Sequence, residues 1–145
     1  MIRSTSTVRK LLARAMDIPL LEAQLILGSV LGCSRSWIIA HNNDFVCEKA
    51  EKQFRCKVKR RISGEPIAYI LGYQEFWSRN FEVDQTTLIP RPETELLVEK
   101  ILEHNLDGKD LLELGVGSGI ISISLGLEKE KLNLLGTEKS LNALM

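Results

Sequence analysis

Nine residues constrain this chain more than any others: Leu111-Leu112-Glu113-Leu114-Gly115-Val116-Gly117-Ser118-Gly119. A short apolar run ends in a carboxylate and breaks into three glycines at alternate positions. The run reads as a strand, and Ile120-Ile121-Ser122-Ile123-Ser124-Leu125 has the apolar content of a helix packed on a sheet. A strand that turns through glycines into a helix leaves N–H groups unpaired and side chains missing at one point. A flat, polar ligand can approach the backbone there. The spacing excludes the G-x-G-x-x-G dinucleotide fingerprint, which needs a third glycine where this chain has Ile120.

A second feature answers the first. Leu132 to Thr137 reads as the next strand, and Glu138 stands at its end, 19 residues after Gly119. In a doubly wound sheet that position faces a ribose, whose two hydroxyl protons a carboxylate accepts together.

The sequence has 145 residues, enough for one ordinary domain or two small ones. Its apolar fraction of 44% and charged fraction of 26% suit a soluble globular chain. No stretch reaches the roughly 18 consecutive apolar residues of a membrane span. The start, Met1 to Lys10, is basic and hydroxyl-rich, faintly like a transit peptide, but Val8, Leu11, Leu12 and Ala15 favour a first helix. Cys33, Cys47 and Cys56 are odd in number and match no C-x-x-C spacing, so reduced cytosolic thiols and no metal site are expected. His41 has no second ligand at metal spacing and reads as structural. The net charge of zero hides an asymmetry: residues 1–62 hold 12 Lys/Arg against 5 Asp/Glu, and residues 63–145 hold 7 against 14. Two modules of opposite sign follow, the first suited to an acidic partner or RNA.

Pro19 suits the first position of a second helix through Leu31, with Gly32 beyond its end. Ser34 or Ser36 caps a short turn presenting Trp37, Ile38 and Ile39 to the core. Asp44 caps a longer helix with Cys47, Ala50, Phe54, Val58 and Ile62 on one face and Lys57, Lys59, Arg60 and Arg61 near its end. After Gly64-Glu65-Pro66 the texture changes: Ala68 to Leu71 and Glu75 to Trp77 read as strand, and Phe81 to Asp84 alternates, so a β-hairpin is expected. Pro92 opens a helix burying Leu97, Val98, Ile101 and Leu102, and Asp107-Gly108 turns into the glycine-loop strand.

Gly-x-Gly-x-Gly behind Glu-Leu resembles the pattern of S-adenosylmethionine-dependent methyltransferases. Longer stretches are more specific: Arg60-Arg61-Ile62-Ser63-Gly64-Glu65-Pro66-Ile67-Ala68-Tyr69-Ile70-Leu71-Gly72, then Glu75-Phe76-Trp77-Ser78, then Thr87-Leu88-Ile89-Pro90-Arg91-Pro92-Glu93-Thr94-Glu95. These strongly resemble the HemK/PrmC family, the release factor glutamine methyltransferases, from about residue 8 onward. The resemblance implies an α/β protein: an N-terminal helical bundle that docks substrate (1–64), a β-hairpin linker (65–90), and the first part of a Rossmann-like S-adenosylmethionine-dependent methyltransferase domain (91–145). It implies N5-methylation of the glutamine in the Gly-Gly-Gln loop of class I peptide chain release factors, in the cytoplasm. Gly115, Val116, Gly117, Ser118 and Gly119 would line the methionine part of S-adenosyl-L-methionine, and Glu138 would hold its ribose. Ile89 to Pro92 would lie close by.

The family carries an Asn-Pro-Pro-Tyr tetrad that orients the substrate amide. The four prolines here are Pro19, Pro66, Pro90 and Pro92, none adjacent, so no catalytic residue is assigned. The expectation is a front portion of such an enzyme, inactive by itself, with Leu111, Leu112, Leu114, Leu132, Leu134 and Leu135 partly exposed. The alternatives are a non-catalytic fragment binding a release factor or RNA, and a methyltransferase acting on another amide or amine. The motifs favour the release-factor branch, so release factors are the expected partners, with no membrane and no direct nucleic-acid contact.

Overall fold

The computed structural model describes residues 4–143, which form two compact units meeting at Leu71 and Gly72. In chain order the elements are β1 (Ser4–Thr7), α1 (Val8–Ala13), α2 (Leu20–Leu31), α3 (Arg35–Ala40), β2 (Phe45–Cys47), α4 (Glu48–Ile62) and α5 (Ile67–Leu71) in the first unit. The second holds β3 (Tyr73–Phe76), β4 (Arg79–Glu82), α6 (Glu93–Leu102), β5 (Asp110–Leu114), α7 (Ile120–Glu128), β6 (Asn133–Thr137) and a 3-10 turn (Leu141–Ala143). The chain is an α/β protein.

In the first unit, apolar side chains at helical spacing meet in one core: Val8 and Leu11 from α1, Ile26 and Leu27 from α2, Ile38 from α3, and Phe54 and Val58 from α4. The helix ends follow local chemistry. The Thr7 hydroxyl accepts the Lys10 N–H at 3.4 Å, and the Ser34 hydroxyl accepts that of Trp37 at 3.2 Å. Gly32 closes α2 at φ 68°. The antiparallel β1–β2 pair, with Thr7 opposite Phe45, carries no sequence signal of its own. It also displaces the expected cap of α4: Phe45–Cys47 is strand, so the helix starts behind Cys47 rather than at Asp44.

Three further expectations on this unit are corrected. Trp37 and Ile39 are exposed, because a helix of only six residues turns a single side chain, Ile38, fully inward. Cys47 and Ile62, at the two ends of the expected α4 face, are also exposed. Ala68 to Leu71 is helical, not strand: the Tyr69 and Ile70 N–H groups both donate to the Pro66 carbonyl, and Ala68 and Ile70 are buried. Three of the four cations near the end of α4 have partners within the unit. Lys57 donates to the Ser29 hydroxyl at 3.0 Å, Arg60 to Glu65, and Arg61 to Glu22.

In the second unit β3 and β4 form an antiparallel hairpin, with Phe76 opposite Arg79. The turn residues Trp77 and Ser78 have φ of 51° and 57°, the left-handed pair that two-residue hairpins favour. Trp77, expected in a strand, therefore makes the turn. Its N–H donates to Glu95 Oε1 at 2.8 Å and its indole N–H to Glu128 Oε1 at 3.1 Å. Phe76 and Phe81 pack edge to face, with ring centroids 6.2 Å apart, and share a core with Val98, Ile120, Leu125 and Leu132.

Strands β5 and β6 pair in parallel from Asp110–Asn133 to Leu114–Thr137, with α7 as the connection between them. Alternation along the strands sorts the leucines by face. Leu111 and Leu134 pack into the core, whereas Leu112, Leu114 and Leu135 are 56%, 76% and 64% exposed. Leu132, expected to be partly exposed, is buried because it precedes the strand and turns into the core. In α6 only Val98 is fully buried, and Leu97 is exposed.

Candidate functional site

The chain leaves β5 at Leu114 and enters the glycine loop. Gly115, Gly117 and Gly119 have φ of 74°, 52° and 72°, a region that L side chains rarely occupy. A Cβ added at Gly115 or Gly117 would meet nothing within 4 Å, so the space beside the backbone is open.

The loop's N–H groups are less free than its composition suggests. Gly115 and Val116 both donate to the Thr137 carbonyl, at 2.7 and 2.9 Å. Gly119 donates to the Val116 carbonyl at 2.8 Å, and Gly117 donates to Glu138 Oε2 at 2.9 Å. The end of β6 thus holds the loop in shape. Among the described residues, the amides of Ser118, Ile120 and Ile121, at the entrance to α7, lack such partners.

Glu138 is half-buried and hydrogen-bonded at both oxygens, with Oε1 accepting the Ser140 N–H at 2.9 Å. The N–H of Ser140, and after it that of Gly117, hold its carboxyl below the usual carboxylate range. It is therefore an anion at neutral pH. A carboxylate offers about four lone-pair sites, so two N–H bonds leave capacity for a diol.

A cleft of about 900 Å³ opens over this loop, bounded by Val116 to Gly119, by Phe81 to Asp84 at the exit of β4, and by Thr86 and Asn142. Asp84 Oδ1 accepts both the N–H and the hydroxyl of Thr86. The same hydroxyl oxygen lies 3.3 Å from the Asn142 carbonyl oxygen. This wall was missed in the sequence, although Asp-x-Thr is a local turn signature. Ile89 to Pro92, expected close to the site, do not line the cleft.

Residues 5–72 match the family model described as the PrmC N-terminal domain. Curated proteins called release factor glutamine methyltransferase match most of the chain. The one from Aliivibrio fischeri is 38% identical over 91% of this chain and 47% of its own length. The Coxiella burnetii protein is 40% identical over 97% and 52%, and the Bordetella pertussis protein 41% identical over 95% and 52%. These matches make the chain similar to the HemK/PrmC family over nearly its whole length. The chain spans about half the length of the curated relatives it matches.

The HemK/PrmC relatives are named as methyltransferases, and methyltransferases as a class draw on S-adenosylmethionine. The cleft suits such a molecule in that open space lies beside Gly117, on its wall. Gly115 and Glu138 do not line it; the ionised Glu138 stands behind the wall, bonded to the Gly117 N–H. The cleft's volume lies within the range of small-molecule sites. Among the described residues, no group of three His, Cys, Asp or Glu is placed to hold a metal ion, and no helix is long and apolar enough to cross a membrane.

Proposed function

We propose that the cleft over the glycine loop is the methyl-donor site of a release factor glutamine methyltransferase, with S-adenosylmethionine as the donor. Gly115, Val116, Gly117, Ser118 and Gly119 would hold the methionine part against bare backbone, and Glu138 would take the ribose hydroxyls. The bound donor supplies an electrophilic methyl group. What these residues contribute is binding and orientation. The observation that carries the reading is the bond from Gly117 N–H to Glu138 Oε2 at 2.9 Å. It brings the acid against the glycine loop, which supports reading the two together.

The substrate reading follows the relatives' names: the side-chain amide of the glutamine in the Gly-Gly-Gln loop of class I release factors, with the first unit (residues 1–64 in the sequence reading) serving to dock that partner in the cytoplasm. Within residues 1–145 no Asn-Pro-Pro-Tyr tetrad occurs to orient the amide. We infer that these residues bind the donor without transferring its methyl group. Calorimetric titration with S-adenosylhomocysteine tests the site: binding by the wild-type chain, weakened at least tenfold in Glu138→Ala, supports it. Equal affinity in the two proteins overturns it. Turnover of a release factor by residues 1–145 would overturn the second inference alone.

A further inference from the structure

The helix that follows the glycine loop lacks the cap its position calls for. Gly119 is the N-cap of α7 and has no side chain to offer. The first-turn N–H groups of a helix need acceptors from elsewhere. One comes from the preceding strand: Glu113 Oε2 accepts the N–H of Ser122 at 3.1 Å and also the hydroxyl of Ser122. Ser122 is the third residue of α7, the position an N-cap side chain ordinarily reaches. The cap is thus supplied across the loop, from nine residues upstream, and it places a carboxylate at the positive end of the helix dipole.

We propose that Glu113 is a positioning residue for the donor site, fixing the entrance of α7, and with it the amides of Ser118, Ile120 and Ile121, through Ser122. This rests on the reading of the cleft as the donor site. Glu138 fastens the loop from β6 at Gly117, and Glu113 fastens it from β5 at Ser122. Between these two points the chain passes through Ser118 and Gly119 with no further side-chain bond to either strand. With Glu113 removed, the segment keeps its glycines and the backbone bonds at Gly119 but loses its side-chain fastening to β5, and the bound geometry becomes one of several. Affinity then falls by the fraction of chains that hold it.

The test uses the 145-residue chain with Glu113→Ala, Glu113→Gln and Ser122→Ala. Two readouts are taken: S-adenosylhomocysteine affinity, and amide hydrogen exchange at Gly119 and Ser122, the two hydrogen-bonded amides of the segment, in unliganded protein. A glutamine carbonyl oxygen still accepts both Ser122 bonds, so Glu113→Gln should stay within about threefold of wild type. Glu113→Ala should bind about tenfold more weakly and exchange about tenfold faster, the weight of one cap. Ser122→Ala, which keeps its N–H bond to Glu113 and loses only the hydroxyl bond, should show about threefold of each. Rescue by Gln separates positioning from a need for charge. Unchanged exchange in both alanine variants overturns the proposal, as does a Gln variant as impaired as the Ala variant. Should Glu113→Ala fail to fold, Ser122→Ala still decides. Should wild type bind no S-adenosylhomocysteine, the donor-site reading fails, while the exchange data still judge the Glu113 cap.

Discussion

Arg61 grips Glu22 with two parallel N–H bonds, from Nε at 2.6 Å and from Nη2 at 3.1 Å, across 39 residues of sequence. The pair ties the last turn of α4 to the first turn of α2, and its side chains are 28% and 18% exposed. A planar fork on a partly shielded carboxylate is stronger than an ordinary surface ion pair. Arg61→Ala should therefore destabilise the first unit by about 1–2 kcal/mol. Arg61→Lys should recover only part of that, because an ammonium cannot reproduce the fork. Urea unfolding followed by hydrogen exchange in α2 and α4 measures both.

Acid should release the glycine loop. The carboxyl of Glu138 is held below its ordinary value by the N–H groups of Ser140 and Gly117. A depressed value in the folded chain means that the bonds are fully present above the ordinary glutamate range of about 4.3 and lost as pH falls through the lower, folded value. The Gly117 and Ser140 amide resonances should titrate together with a midpoint below that range. In Glu138→Gln the shared titration should vanish.

Gly136 tests the loop from beneath. A Cβ there would come 2.9 Å from Val116 Cγ2 and 3.1 Å from Val116 Cβ, and the residue has no positive φ to confuse the outcome. Gly136→Ala should push Val116 aside, costing about 1–3 kcal/mol and weakening S-adenosylhomocysteine binding. Adding Val116→Ala should restore most of both, which a double-mutant cycle would show as strong coupling.

The outer face of the β5–β6 pair predicts poor solution behaviour. Leu112, Leu114 and Leu135 are all more than half exposed on strands whose parallel pairing normally has both faces covered. Replacing Leu114 and Leu135 with Thr should lower concentration-dependent light scattering and change stability by less than about 0.5 kcal/mol. Greater scattering by the double variant would contradict this.

Ser78 sits at φ 57° in a turn that glycine makes without strain. Ser78→Gly should stabilise the hairpin by about 0.5–1 kcal/mol, read as slower exchange of the β3 and β4 amides.

What could be read from the residues alone divides along physical lines. Local rules placed Gly32 beyond α2, Ser34 or Ser36 at the head of α3 (the structure uses Ser34), and the βαβ order around the glycine loop, because each depends on a few neighbouring positions. The β1–β2 pair escaped notice because Ser4 to Thr7 has no apolar alternation and its partner lies some forty residues away. Ala68 to Leu71 misled because a short apolar run fits a strand or a buried helical turn equally well, and Pro66 decides in favour of the latter. At the site, the glycines and Glu138 were legible as a pattern. That Thr137 and Glu138 already occupy the N–H groups of Gly115 to Gly117 was not, since the partners come from the next strand.

Joining Ser4–Thr7 to Phe45–Cys47 has a consequence for biosynthesis. Once made, Ser4 to Thr7 cannot find their strand partner until about forty more residues have been added, an interval of roughly 2–8 s at 5–20 residues per second. Phe54 and Val58, which complete the same core, arrive later still. On a ribosome, the nascent Val8–Ala13 segment therefore waits with its apolar face uncovered, and the first unit closes in one late step rather than helix by helix.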